Sequence, residues 1–288
     1  GVSSAASDVY KRQTMGRVIK LIIYYFLYNL VFMGVVFGVY GFINHSADMP
    51  QSGPVYFNLS MWVQLLATLA VGIHLLAWKY VTRKDLRLDF PHTAKLLLVS
   101  VVLIVGMGCW TNYLTELTEL PDVMEDLFAQ AMNNPLGIIS IVILAPIVEE
   151  LLIRGGMQGH LLRQWKNPMW AIAVPALVFG AIHGNPAQSF FAFILGLVFG
   201  WVYYRTGSLL PCMLMHFINN GASVLLFHLS GGKDETMTEA LGTTGAISLA
   251  IVGVVLTIWS IWYIKTRLIP NQICLLYTSP SPRDISGS

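Results

Sequence analysis

The chain is built around apolar stretches of about 20 residues, the length an α-helix needs to cross the hydrocarbon core of a bilayer. Eight can be read along its 288 residues, near 18–43, 57–78, 96–114, 136–162, 170–184, 189–204, 209–229 and 241–264. The fifth and sixth are short and only Asn185-Pro186 marks the break between them, so they read as a tight hairpin or a partly re-entrant piece. In lipid every backbone group must be satisfied within the protein, which leaves helices as the natural solution for apolar runs of this length. The expected fold is therefore all-α, a polytopic membrane bundle of about eight transmembrane helices. Composition agrees, because Asp, Glu, Lys and Arg make up only 11% of the chain against about 25% in a soluble domain. A net charge of +2 without a basic face excludes a nucleic-acid partner. Cys109, Cys212 and Cys274 are widely spaced and suggest neither a disulfide framework nor a Cys-based metal site.

The two ends differ from the middle. Residues 1–14 are small and polar before Met15 opens an apolar run, and 274–288 are rich in Pro and Ser after the basic stop at Lys265 and Arg267. Both read as non-native leader and tail sequence, leaving 15–273 as a single transmembrane domain. Loop charges orient it. One side carries Arg17, Lys20, Lys79, Arg83, Lys84, Arg87, Lys95, Arg163, Lys166, Arg205, Lys265 and Arg267; the other carries Lys233 with the acidic run Glu116, Glu119, Asp122, Glu125 and Asp126. By the positive-inside rule both termini are expected in the cytoplasm, in a multi-pass protein of a bacterial cytoplasmic membrane. The G-x-x-x-G spacings Gly34/Gly38, Gly180/Gly184 and Gly196/Gly200 read as helix packing.

Three ionisable residues sit where none is expected. Glu149, Glu150 and Arg154 lie inside the fourth apolar stretch, each costing roughly 2.5–3.5 kcal/mol at mid-bilayer on insertion scales. Glu150 and Arg154 are four residues apart and can pair on one helix face. Glu149 lies about 100° further round the helix and has no partner in its own segment. His183 ends the fifth stretch, while His216 and Asn220, also four apart, share a face of the seventh. Counted at 1.5 Å per residue from the nearest cytoplasmic cations, Glu149, His183 and His216 lie roughly 21, 25 and 16 Å deep. Residues from three helices can thus meet at one level in the bilayer. His74 and His228 read as hydrogen-bonded helix contacts.

The ordered set Glu149-Glu150-Leu-Leu-Ile-Arg154, Phe179-Gly-Ala-Ile-His183 and His216-Phe-Ile-Asn-Asn220 resembles the motifs of the CAAX-protease and bacteriocin-processing (CPBP, or Abi) intramembrane endopeptidases. The resemblance covers about 136–229 and implies hydrolysis of a peptide bond in a membrane-embedded peptide or protein, prenylated or bacteriocin-like. The chemistry suits the residue types: Glu149 as base for a water, His183 holding or helping to deprotonate it, and His216 with Asn220 donating to the oxyanion. Glu150, Arg154 and Phe179 would support these from behind. Zinc held by Glu149, His183 and His216 is the alternative. The absence of H-E-x-x-H and the poor ligand quality of Asn favour a metal-free glutamate mechanism with no cofactor. A proton-coupled transporter would string its polar residues across the bilayer rather than gather them at one level. A non-catalytic immunity or scaffold protein would not need the complete set.

Overall fold

A computed structural model describes residues 2–45, 48–88, 92–233 and 235–269, with side chains from residue 15 onward. The 274–288 tail lies outside the described residues, and 1–14 is described in backbone alone, as the beginning of the first helix. Among the described residues there is no strand. Helices α1 (Val2–Ile43), α2 (Gly53–Ala77) and α3 (Thr93–Thr118) precede a short surface helix, α4 (Glu125–Met132). Then come α5 (Pro135–Gln164), α6 (Pro168–Ala181), α7 (Pro186–Thr206), α8 (Leu210–Leu229) and α9 (Met237–Leu268). Seven of these are long and apolar enough to cross a membrane. This is a multi-pass integral membrane protein.

The structure departs from the sequence reading in three places. The fifth stretch, expected over 170–184, is a helix of only 14 residues, about 21 Å long. Asn167, whose side chain accepts from Met169 N, and Pro168 start it, and Gly184 with φ +64° turns the chain before Pro186 starts α7. The fourth stretch is continuous but not uniformly α-helical, because Ser140–Leu144 and Leu151–Gln158 are π-helical. The third stretch, expected to end at 114, runs on to Thr118; Glu119 then leaves in a left-handed conformation, and α4 follows as a separate surface helix.

Glycines set the closest helix approaches. A Cβ on Gly253 of α9 would stand 2.5 Å from Gly106 O of α3, and one on Gly196 of α7 would stand 3.0 Å from the Ala176 backbone of α6. Contacts this short bring backbones together without relying on a hydrophobic driving force that lipid does not supply. Of the G-x-x-x-G pairs, Gly180, Gly196 and Gly200 do face neighbouring elements. Gly34 and Gly38 on α1 do not, since a Cβ at either would meet nothing within 4 Å.

At the basic end of the bundle, the Arg83–Leu86 turn is fastened to the α7–α8 corner. Tyr203 donates to Asp85 Oδ1 at 3.0 Å, Leu209 N to Asp85 O at 2.7 Å and Ser208 Oγ to Arg87 O at 2.7 Å. These bonds tie the ends of α7 and α8 to the loop between α2 and α3. His74 shares a hydrogen bond of 2.8 Å with Tyr28, joining α2 to α1, and His228 bonds Met132 O at 3.1 Å, so both are contacts between segments.

Candidate active site

Glu149 and Glu150 stand at the end of the α-helical turn Ala145–Glu150, immediately before the π-helical stretch. Arg154 Nη1 donates to Glu150 Oε1 at 2.9 Å, and neither side chain has any exposed surface. A pair so buried needs more than its mutual attraction. The surroundings supply it: Arg154 Nη2 donates to Gly196 O at 3.4 Å, and the guanidinium lies 4.5 Å over the Phe179 ring and 5.3 Å from that of Phe199. Both rings offer their faces to the cation.

The second charge partner comes from α8. His216 Nδ1 stands 3.0 Å from Glu150 Oε1, and its Nε2 stands 3.7 Å from Glu149 Oε2. One imidazole thus touches both carboxylates. Glu149 has no partner in its own helix, and the neighbouring helix brings one that spacing along one segment cannot reveal. Glu149 keeps 19% of its side chain exposed, whereas Glu150 keeps none. The adjacent carboxylates therefore have different environments, one sealed against Arg154 and one open.

Phe179 joins the cluster to His183. Its ring, only 1% exposed, meets the His183 ring edge-to-face at 5.0 Å and the His216 ring at 5.6 Å. His183 Nδ1 lies 2.7 Å from Phe179 O. A carbonyl can only accept, so Nδ1 carries a proton and Nε2 is the ring nitrogen turned away from the backbone. Asn220 lies one turn beyond His216, with Nδ2 donating to Ile141 O at 2.9 Å in the first π-helical stretch. Its amide has a second N–H left to give.

Motif spacing does not reveal the α7 side of the site. Gly196 and Gly200 open their carbonyls to Arg154 and to Gln158, the latter donating at 2.7 Å. A Cβ on Gly200 would come within 2.9 Å of Gln158 Oε1 and of Ile172. The available signal is the run Glu150, Arg154, Gln158, which repeats every four residues and demands polar partners opposite. Among the described residues no group of three His, Cys, Asp or Glu is placed to hold a metal ion. Glu149, His183 and His216 do not form such a group.

The fold is thus a multi-pass membrane protein with a carboxylate–imidazole cluster buried between its helices. Residues 131–222, which contain all three motifs, match the family model described as type II CAAX prenyl endopeptidase, Rce1-like. The match agrees with the CPBP resemblance carried by those motifs and supports a CAAX-type intramembrane protease fold. No curated protein and no solved structure is significantly similar to the chain.

Proposed function

We propose that the protein is an intramembrane endopeptidase that hydrolyses peptide bonds with a water activated by Glu149. The observation that carries this reading is His216, which spans Glu149 and Glu150 at 3.7 and 3.0 Å beside an aromatic ring shared with His183. Glu149, the more open carboxylate, takes a proton from water as the oxygen attacks the carbonyl carbon. His183 Nε2 accepts a hydrogen bond from the same water and orients it. His216 donates through its Nε2–H to the developing oxyanion, and Asn220 adds its remaining N–H. The proton held by Glu149 then passes to the departing amine, so the atoms balance without any other reactant. Glu150 and Arg154 hold His216 in place.

The substrate on this reading is a peptide presented within or at the edge of the bilayer, prenylated or bacteriocin-like. The loop charges support an orientation with both termini on the cytoplasmic side, and the membrane on this reading is a bacterial cytoplasmic one. The mechanism needs no metal; exhaustive chelation is expected to leave cleavage unchanged, and loss restored by zinc would overturn that part.

The test compares cellular membrane peptides, and then the purified protein in liposomes, for wild type, Glu149→Gln and His183→Ala. Both variants should insert normally. Each should lose cleavage, with Glu149→Gln down by at least about 100-fold, the lower range for a general base. Normal processing by both would eliminate the protease reading.

A further inference from the structure

The turn that carries His183 is gripped from outside the helices. His183 N and Gly184 N close the end of α6 onto Gly180 O and Ala181 O at 3.2 and 3.3 Å, and Asn185 is the N-cap of α7. Asparagine at that position ordinarily accepts a hydrogen bond from the first turn of its own helix. Asn185 makes no such bond. Fully buried, it reaches instead to the segment joining α3 to α4: Nδ2 donates to Asp122 Oδ1 at 2.8 Å, and Oδ1 accepts from Val123 N at 3.2 Å. Asp122 Oδ1 also accepts from Met124 N at 2.9 Å, and Ala187 N donates to Pro121 O at 3.4 Å. The Met124 methyl would lie 3.9 Å from a Cβ on Gly184. Residues 121–124 therefore form a strap across His183-Gly184-Asn185, fastened by an amide that uses both its donor and its acceptor.

The strap bears on His183 through the backbone between them. Phe179 holds the imidazole through its ring and carbonyl. The neighbouring residue is Gly184 at φ +64°, a conformation with no Cβ to restrain it. Without an anchor beyond that glycine, the turn could swing about it. A buried amide satisfied on both atoms, one bond being to a carboxylate, is a strong anchor.

We propose that Asn185 is a positioning residue for the hydrolytic site, locking the His183 turn to the 121–124 strap. The inference rests on the protease reading and deepens it. Its test uses the full chain in liposomes and a peptide that wild type cleaves. In Asn185→Asp, two carboxylates face each other and the strap is repelled. In the exchange Asp122→Asn/Asn185→Asp the bond across the strap can be remade in the opposite sense, the amide at position 122 donating to a carboxylate at position 185 that still accepts from Val123 N. The bond from Met124 N is given up, because Asp122 Oδ1 accepts from both Asn185 and Met124 N and an amide nitrogen in its place accepts from neither. Misplacing a catalytic group by about 1 Å costs roughly 100-fold. The expectation is a fall in kcat of roughly 10- to 100-fold for Asn185→Asp, with KM within about threefold of wild type, the scatter of a contact context. The exchange should recover part of the lost kcat, because the bond across the strap returns. Should Asn185→Asp fail to insert, Asp122→Ala, in the connecting segment, breaks the same fastening and should show the same loss confined to kcat. Wild-type kcat in the single variants, or an exchange variant that folds as wild type yet stays as slow as Asn185→Asp, overturns the proposal. Cleavage that survives both Glu149→Gln and His183→Ala overturns the protease reading itself, and this proposal with it.

Discussion

Arg154 is the residue whose removal should matter most for folding. Its guanidinium serves Glu150, a backbone carbonyl and two aromatic faces at once, in a place without solvent. Arg154→Met would leave Glu150 charged and buried with only His216 beside it, and breaking a buried pair in this way costs about 3–5 kcal/mol. Chemical unfolding in mixed micelles should show the loss, and a stability within about 1 kcal/mol of wild type would contradict a structural role for the pair. Glu150→Gln should be milder, since the amide oxygen still accepts from Arg154. Phe179 is a different case. Phe179→Leu keeps an apolar core residue but removes the ring both imidazoles touch; the fold should survive while cleavage falls by roughly 10-fold or more, through misplacement of the histidines. Equal activity in the variant would show that the ring is not what places them.

Among the helices, the pair Glu150/Arg154 and the three motif segments are legible in the sequence because i, i+4 spacing fixes a shared face whatever surrounds it. Contacts between helices are not. His216 meets Glu150 across 66 residues of sequence, and nothing in the spacing of either segment specifies that meeting. The π-helical turns are equally hidden, since the apolar run through 136–162 reads alike for either winding. Glycine pairs are ambiguous for a related reason. Gly196/Gly200 and Gly34/Gly38 have the same spacing, yet the first pair packs and the second faces open space. The α3–α9 seam gives the sharpest test at this scale. Gly253→Ala would press a methyl to within 2.5 Å of Gly106 O and should destabilise the protein by about 1–3 kcal/mol, the usual cost of overpacking. Cleavage per folded molecule should stay near wild type, because no residue of the cluster lies on α3 or α9. A specific fall in kcat would mean that the seam reaches the site.

For the molecule as a whole, composition and apolar run length suffice to identify a helical membrane protein, since few other solutions satisfy backbone groups in lipid. The count of crossings is harder, and the reason is α6. Its run of apolar residues reads as one more span, but Asn167-Pro168 at one end and the Gly184 turn at the other trim the helix to 14 residues. A hydrocarbon core is about 30 Å thick, and α6 covers about 21 Å of it. The remainder, about 9 Å, has to be met by a dip in the bilayer or by water descending over the polar turn. That turn carries His183. Hydrolysis consumes one water for each bond cut, and a reaction buried in lipid must import it. On the protease reading proposed above, a helix that stops short provides that inlet, and the supply of the second reactant follows from the length of α6. Lipid thickness then becomes a control on the rate: cleavage should slow as acyl chains lengthen and close over the turn, and a rate indifferent to chain length would show that the water arrives by another route.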